Sequence, residues 1–477
     1  MKKIVMCVLF ALVIQGAPVL AIADTVPVAP HVASGYRNDG SGVWPDATPA
    51  ILDGTKPKIL WTAPLPSGGD SAPLLVGDLV VVTTEPDQIL AFDAATGKER
   101  WKTNCDVFST FGEAGAALKE AFYAAHAITS LPTVSAKANE MQTGQEFNPA
   151  FNKDSVVVAT KAKMSAAHAN IYIPLPIERP ADAAPSPCTD GKYIVVKFRS
   201  GMVGCYDLNG KEIWKQRLAA EGKNGASYSS PSFMGGILIV PFPGGKNSKG
   251  HLALDPATGK TLWQNPEIGQ GSWGTVLSFP LGDRQLGVSG AGQIFEPTTG
   301  KLLAQITGFG QHTTIARWKD ILVVPSGQVY SLLKEKTRAF RLVSNADGTV
   351  TATQLWEVPE TGGNCPPSVC LDGLFLLSAG KLHGYQIDDN KEVAEPKPIL
   401  SKDPMGAHRV LPGLSVAGDT CVRLGLTGNI ALIRVEGGVL KTIGNVDLPK
   451  DNYNGPPAFA GKRMYVHGHT QLLCLGE

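Results

Sequence analysis

The stretch Ile89-Leu-Ala-Phe-Asp-Ala-Ala-Thr-Gly-Lys-Glu-Arg-Trp101 recurs along the chain and decides the fold. Its apolar run predicts a β-strand, and Asp followed by Thr-Gly predicts a tight turn in which Gly takes a positive φ. The second strand ends in Trp101, whose ring is large enough to fill the space between two sheets. Copies occupy residues 202–214 and 251–263, and residues 293–303 hold a copy that lacks the tryptophan. Each copy therefore encodes an antiparallel hairpin.

A second pattern lies upstream of the hairpins: a Ser or Pro start, a Gly-centred turn and a β-branched run. It is found at residues 71–82, 230–240, 367–377 and 457–466. Joined, the two patterns give four strands per unit at a period of roughly 40–50 residues, which is the spacing of propeller blades. Eight units start near Ser71, Ser186, Ser230, Trp273, His312, Cys365, His408 and Pro456. We therefore predict an all-β, eight-bladed β-propeller with four-stranded blades.

The two ends of the chain complement each other. The eighth unit ends at Glu477 after three strands, and residues 58–64, which contain Trp61, look like the missing fourth strand. We predict that this N-terminal strand closes the last blade, because closure removes exposed sheet edges.

The interval between Trp101 and Ser186 is too long for a blade connection. Glu113–Thr129 is rich in Ala, has apolar residues at helical spacing and predicts a helix. We assign residues 103–185 to a partly helical insertion. The propeller itself is predicted over residues 59–477, after a lead-in at 24–58.

The first 23 residues resemble a signal peptide. Lys2-Lys3 gives a positive start, Ile4–Ile14 is an apolar core, and Ala21-Ile22-Ala23 fits a small-x-small cleavage site. We expect a mature chain that begins near Asp24 and resides in the periplasm or outside a bacterial cell. No later segment has a long apolar run, so no membrane span is expected after cleavage.

The charge balance restricts the partners. The chain carries 43 basic and 42 acidic residues, a net charge of +1. This balance provides no electrostatic attraction to nucleic acid or anionic lipid. The expected partners are envelope or extracellular proteins or small molecules, and the chain is expected to be a monomer.

Seven cysteines remain after signal cleavage: Cys105, Cys188, Cys205, Cys365, Cys370, Cys421 and Cys474. An odd number in an oxidising compartment leaves at least one thiol unpaired. Disulfides and buried free thiols both stay open as interpretations. The absence of Cys-x-x-Cys excludes a zinc ribbon or haem attachment.

The Asp-x-x-Thr-Gly-x-x-x-Trp repeats resemble those of the pyrroloquinoline-quinone-repeat propellers, over most of residues 59–477. Residues 36–43, Tyr-Arg-Asn-Asp-Gly-Ser-Gly-Val, resemble the Gly-rich lead-in of many exported bacterial members. The resemblance implies that tryptophans dock neighbouring blades, and the matching positions are Trp61, Trp101, Trp214 and Trp263.

This family is functionally divided. In quinoprotein alcohol dehydrogenases, the quinone and a calcium ion lie on the propeller axis, and a disulfide between adjacent cysteines covers the quinone. Other members are non-enzymatic and include the scaffold of the outer-membrane β-barrel assembly machinery. The chain has no Cys-Cys, its nearest pair is Cys365 and Cys370, and no calcium set is recognisable. The sequence therefore favours a non-catalytic binding or scaffolding propeller without quinone or calcium, with a quinone-dependent alcohol or sugar dehydrogenase as the alternative.

Segments leading into the first strand of each blade are expected on one face, together with the loops between second and third strands. We call this the axial face. Loops 85–88, 244–250, 426–429 and 467–469 should form its rim. The candidate ligand ring there is Asp70, Ser71, Tyr228, Ser229, Trp273, Gln311, His312, Asn364, His408, Arg409, Tyr453 and Asn454. The alternative is that these residues only solvate the channel mouth.

Two further residue patterns are weaker signals. Asp255 and its counterparts precede a turn Gly and are interpreted as structural, not catalytic. His467-Gly-His469 is the only close histidine pair and the one candidate for binding a metal, with ordinary turn histidines as the alternative. Two ligands are too few for a metal site, so no metal is predicted, and catalytic residues are not assigned.

Overall fold

The computed structural model describes residues 35–49, 58–111, 115–116, 119–120, 183–218, 229–242, 250–269, 274–307, 315–325, 336–359, 368–379, 381–388, 392–393 and 413–476. The predicted signal peptide, the start of the lead-in and most of the insertion lie outside these residues. Of the predicted helix, the described residues 115–116 and 119–120 have helical backbone.

Two strands precede the first blade, β1 (Val43–Trp44) and β2 (Lys58–Pro64). Blade 1 contains β3 (Leu74–Val76), β4 (Leu79–Thr84), β5 (Gln88–Asp93) and β6 (Glu99–Asn104), and a 3-10 helix follows at Phe108–Phe111. Blade 2 contains β7 (Cys188–Thr189), β8 (Tyr193–Lys197), β9 (Met202–Asp207) and β10 (Glu212–Arg217). Blade 3 contains β11 (Ser232–Met234), β12 (Ile237–Val240), β13 (His251–Leu254) and β14 (Thr261–Asn265). Blade 4 contains β15 (Leu277–Leu281), β16 (Arg284–Val288), β17 (Gln293–Phe295) and β18 (Leu302–Gln305).

The second half of the chain repeats this arrangement. Blade 5 contains β19 (Ala316–Trp318), β20 (Ile321–Val324), β21 (Lys336–Ser344) and β22 (Val350–Pro359). Blade 6 contains β23 (Ser368–Leu371), β24 (Leu374–Ala379), β25 (Lys381–Gln386) and β26 (Glu392–Val393). Blade 7 contains β27 (Gly413–Ala417), β28 (Thr420–Leu424), β29 (Asn429–Glu436) and β30 (Val439–Asp447). Blade 8 contains β31 (Ala458–Ala460), β32 (Arg463–His467) and β33 (Gln471–Gly476), with β2 as its outer strand.

The eight-bladed propeller is confirmed. Each blade contains four antiparallel strands, and β1 adds a fifth strand to the sheet of blade 7. The first strands of neighbouring blades touch, such as β3 with β7 and β31. The first strands therefore surround the axis. Strand β2 pairs antiparallel with β33 from Lys58 opposite Gly476 to Pro64 opposite Gln471, so the predicted closure by the N-terminal strand is also confirmed.

The core lies between the blades. All six residues of β4 are buried, because blades 8 and 2 cover the two faces of this sheet. Val80 packs with Leu472 of blade 8, and Val81 packs with Val196 of blade 2. A strand covered on both faces carries a continuous apolar run, which explains the Leu-Val-Val-Val sequence at its centre.

Each repeat tryptophan contacts the turn of the next blade. The indole N–H groups donate to turn carbonyls at 2.8–3.1 Å, and the pairs are Trp61 with Ala94, Trp101 with Leu208, Trp214 with Pro256 and Trp263 with Pro297. At Gly97 the φ is 72°, and a Cβ would stand 2.5 Å from the Trp61 ring. The turn glycine is thus required both by its backbone and by the ring that lies on it. The indole N–H of Trp356 in blade 5 likewise donates to the Ile387 carbonyl of blade 6 at 2.6 Å. The sequence repeats did not predict this contact.

Two features bear on the remaining predictions. Six cysteines, all those in the described part of the chain, are buried free thiols, and Cys365 lies outside that part. Burial raises the pKa of the Cys105 and Cys474 thiols to about 12, so they remain protonated at neutral pH.

Within the described ranges, no helix has the length and apolar character needed to cross a membrane.

Candidate functional site

Residues 35–48, which we call the axial segment, lie along the propeller axis. Strand β1 adds to the inner edge of blade 7 by pairing parallel with β27, with Val43 opposite Val416 and Trp44 opposite Ala417. The Val416 N–H donates to the Gly42 carbonyl at 2.8 Å. Since β27 is the first strand of its blade, a strand paired to its free edge lies inside the ring of first strands.

The segment folds into a compact turn before β1. The Gly40 and Gly42 N–H groups both donate to the Arg37 carbonyl, at 3.3 and 2.9 Å, and Arg37 and Asn38 have positive φ values of 53° and 66°. Short Gly-rich sequence suits this tight path. The segment also reaches other blades: Gly35 packs on Cys188 of blade 2, Gly40 packs on Leu277 of blade 4, Asp39 pairs with Arg317 of blade 5, and Trp44 contacts Phe459 of blade 8.

Arg37 anchors the axial segment. Its side chain is 0% exposed, and Nη2 donates to the carbonyls of Ser368 in blade 6 and Leu414 in blade 7, at 2.6 and 3.0 Å. Burial lowers the pKa of the guanidinium, and nearby groups that include Asp39 oppose that shift. The Gly-rich lead-in motif was visible in the sequence, but its position on the axis was not.

The candidate ligand ring is only partly described. Tyr228, Trp273, Gln311, His312, Asn364, His408 and Arg409 lie outside the described residues, so their role stays a prediction. Ser71 and Tyr453 are fully buried, and the Tyr453 hydroxyl donates to the Pro449 carbonyl at 2.7 Å. The Ser229 carbonyl accepts a bond from Lys197 Nζ at 2.9 Å.

Asp70 and Asn454 meet at the junction of blades 8 and 1, together with His469 of the blade 8 rim loop. We call these three residues the closure seam. Asn454 Nδ2 lies 2.7 Å from Asp70 Oδ1 and 2.9 Å from His469 Nε2, and His469 Nε2 lies 3.2 Å from Asp70 Oδ1. The side chains of Asp70 and His469 are 28% and 29% exposed. Polar groups predicted from distant parts of the sequence therefore converge at the edge of the axial face.

The charges of the closure seam stabilise each other. Burial alone would raise the pKa of Asp70, but hydrogen bonds from His469 and Asn454 lower it below its usual value. Burial opposes charge on His469 as well, yet the bond to Asp70 raises the pKa of this histidine. His467 differs, because it is fully buried, its Nδ1 lies 2.8 Å from the Ser71 carbonyl, and burial lowers its pKa to about 4.

The described residues offer no site made of three or more His, Cys, Asp or Glu side chains that could hold a metal ion. The two histidines of the sequence pair point to different partners, so they do not form a pair of ligands. On the axis, the described residues show the axial segment paired to the inner edge of blade 7. Of Cys365 and Cys370, the cysteines nearest to an adjacent pair, only Cys370 lies in the described part of the chain. It is a buried free thiol, and burial raises its pKa.

His251 is the first residue of β13 in blade 3, and its burial predicts a pH dependence. It is 1% exposed, and burial, with Lys197 nearby, lowers its pKa to about 3. The folded state thus binds its proton more weakly than the unfolded state, whose value is about 6.5. This contribution to stability is complete above that value and is lost as pH falls towards 3. Between pH 7 and pH 5 we expect this group to remove about 2 kcal/mol from the free energy of unfolding.

Urea denaturation at pH 7 and pH 5 measures this loss. His251→Gln should weaken the fold at pH 7 yet show a smaller decrease between the two pH values than the unsubstituted chain. Equal decreases in both proteins would mean that His251 is not the titrating group.

Comparisons with known proteins agree with the fold. Residues 46–231 match a family model described as outer membrane protein assembly factor BamB. The protein of that name from Burkholderia pseudomallei is 26% identical over 214 residues, a match that covers 44% of this chain and 48% of that relative. The matched region thus spans about half of the relative's length.

Two solved structures share the propeller. BamB from Moraxella catarrhalis superposes with a TM-score of 0.51 at 12% identity, covering 89% of this chain and 98% of that one. A quinohemoprotein alcohol dehydrogenase from Comamonas testosteroni gives 0.53 at 11% identity, covering 95% and 81%. At these identities the structures show the fold alone. Together with the sequence matches, they confirm the resemblance to the quinone-repeat propellers.

Proposed function

We propose that this chain is a non-catalytic propeller of the bacterial cell envelope that binds a protein partner on its axial face. The observation that carries the proposal is the axial segment. A dehydrogenase of this fold uses the axis to hold its quinone, whereas this chain places residues 35–48 inside the ring of first strands and anchors them with the buried Arg37.

Sequence similarity also supports a role in binding a protein partner. Both the family model and the matched relative are named as outer-membrane assembly factors, and assembly factors act through protein contacts. An envelope location agrees with that similarity and with the signal-like start of the sequence. Export, a protein partner and the absence of a quinone are all parts of this proposal.

The rim of the axial face is the proposed contact surface. The loops between second and third strands stand on this face, and two of them carry exposed threonines, Thr427 in blade 7 and Thr470 in blade 8. The opposite face carries the repeat turns, where Thr96 and Thr298 are exposed. These four residues provide matched positions for a crosslinking experiment.

A photo-crosslinking amino acid placed at each threonine tests the surface in native cells. We expect Thr427 and Thr470 positions to yield an adduct with one envelope protein, identified by mass spectrometry and abolished by excess unlabelled propeller. Thr96 and Thr298 positions should yield none. Equal adducts from both faces would contradict an axial-face contact.

The dehydrogenase alternative has a direct assay. Purified chain is mixed with pyrroloquinoline quinone and calcium and supplied with alcohols, aldose sugars and an artificial electron acceptor. Saturable turnover that depends on the quinone would overturn the non-catalytic proposal.

A further inference from the structure

The three polar atoms of the closure seam form a triangle. Asp70 Oδ1, Asn454 Nδ2 and His469 Nε2 are separated by 2.7, 2.9 and 3.2 Å. Each atom is thus within hydrogen-bond distance of both others. Asp70 comes from the segment that leads into blade 1, while the other two residues belong to blade 8.

Hydrogen bonds to Asp70 satisfy two edges of this triangle but leave the edge between Asn454 and His469 unsatisfied. A ring nitrogen carries either a proton or a lone pair in its plane, not both. If Nε2 donates to Asp70, it faces the Asn454 amide as a second donor at 2.9 Å. If Nε2 accepts from Asn454, it faces the Asp70 carboxylate as a second acceptor. One edge of the triangle is therefore repulsive in either protonation state.

An amide turned by 180° moves the conflict to the edge between Asn454 and Asp70, where two oxygens would face each other and only a bound cation would make the contact favourable. The oxygen and nitrogen of an Asn side chain have nearly the same shape, and their assignment follows from the surroundings. With Oδ1 in the place of Nδ2, all three atoms of the triangle could act as metal ligands. Ligand atoms about 2.1 Å from a divalent ion stand about 3 Å apart when they share an octahedral face. The three separations in the seam are close to this spacing.

We propose that Asp70, Asn454 and His469 bind a divalent first-row transition metal ion that ties blade 8 to blade 1. An imidazole nitrogen with two oxygens suits ions such as Mn²⁺, Co²⁺ or Zn²⁺ better than Ca²⁺, which takes six to eight oxygens. The partial exposure of Asp70 and His469 lets water complete the coordination.

Neighbouring residues fit this role. Asp451 accepts bonds from the Thr470 N–H and hydroxyl, both at 3.0 Å, and adds a second negative charge beside the seam. His467 is not a ligand, because it is fully buried and turned towards the Ser71 carbonyl. The site is independent of the proposed function, since it joins the two ends of the ring whatever the axial face binds.

Metal binding is measured on full-length mature chain without a histidine tag, after treatment with a chelator. Titration with Mn²⁺, Zn²⁺ and Ca²⁺ by calorimetry, and metal analysis after gel filtration, give affinity and stoichiometry. We expect one transition ion per chain, and at least tenfold weaker binding in His469→Gln and Asp70→Asn. The control is His383→Gln in blade 6, whose ring stacks on Tyr385 far from the seam and should leave affinity unchanged.

Asn454→Asp separates ligation from a purely structural role. A second carboxylate beside Asp70 repels it without metal but becomes a stronger ligand with metal. We therefore expect this variant to melt below the unsubstituted chain in chelator, and to bind the ion more tightly and recover on its addition. Failure of the ion to stabilise Asn454→Asp, or equal affinity in His469→Gln and the unsubstituted chain, would overturn the proposal.

Discussion

Deletion of residues 24–66 is expected to abolish the cooperative unfolding transition of the mature chain. The deletion removes β2, and thereby the ladder with β33 and the Trp61 joint to blade 1. It also removes the axial segment, which touches six blades and includes the buried Arg37. Both losses act on the whole ring. Loss of β2 opens the ring, and loss of the axial segment removes contacts that join several blades.

Scanning calorimetry measures this effect. Deletion of residues 24–34 is the matched control, since it leaves the axial segment and β2 intact and should preserve a single transition. If the longer deletion melted like the control, the ring would not depend on closure by its N-terminus.

Trp263→Ala is expected to lower the free energy of unfolding by roughly 3–5 kcal/mol, the range for emptying a large aromatic site. The Trp263 ring lies 6.0 Å from Phe295 and rests on Gly300, and its N–H donates to the Pro297 carbonyl at 2.8 Å. The substitution therefore leaves a gap between blades 3 and 4 and an unpaired carbonyl. Trp214→Ala should have the same effect between blades 2 and 3.

Urea denaturation provides the measurement, with Leu262→Ala as the control. Leu262 precedes Trp263 in the same strand but is 50% exposed, so its truncation should change stability by less than about 0.5 kcal/mol. Similar losses for Trp263→Ala and Leu262→Ala would show that the tryptophan does not hold the blades together.

The fold was predictable because the same local pattern occurs many times. Strand alternation, the turn Gly and the terminal Trp all act over a few residues, so each copy strengthens the interpretation of the others. Trp356 was missed because blade 5 carries a long hairpin, β21–β22, in place of the short repeat turn. Its partner is Ile387, in a turn without the Thr-Gly sequence.

The site was less predictable because its contacts join distant residues. Arg37 bonds to carbonyls 331 and 377 positions away, and backbone carbonyls have no sequence signal. Asp70 and Asn454 were placed on the axial face from strand order, but their bond spans 384 positions. The different roles of His467 and His469 follow from their places in the fold, because one ends β32 inside the core and the other lies in the loop beyond it.

Placing the axial segment and β2 at the start of the chain has a consequence for synthesis. Ribosomes make the N-terminus first, yet β2 pairs with β33 and Arg37 bonds to blades 6 and 7. The contacts of β2 and Arg37 therefore cannot form until almost all later blades have been synthesised. Such long-range contacts slow folding and expose unpaired edges in the meantime. Prematurely terminated chains therefore lack the closed ring, which leaves them open to proteases while complete molecules are protected.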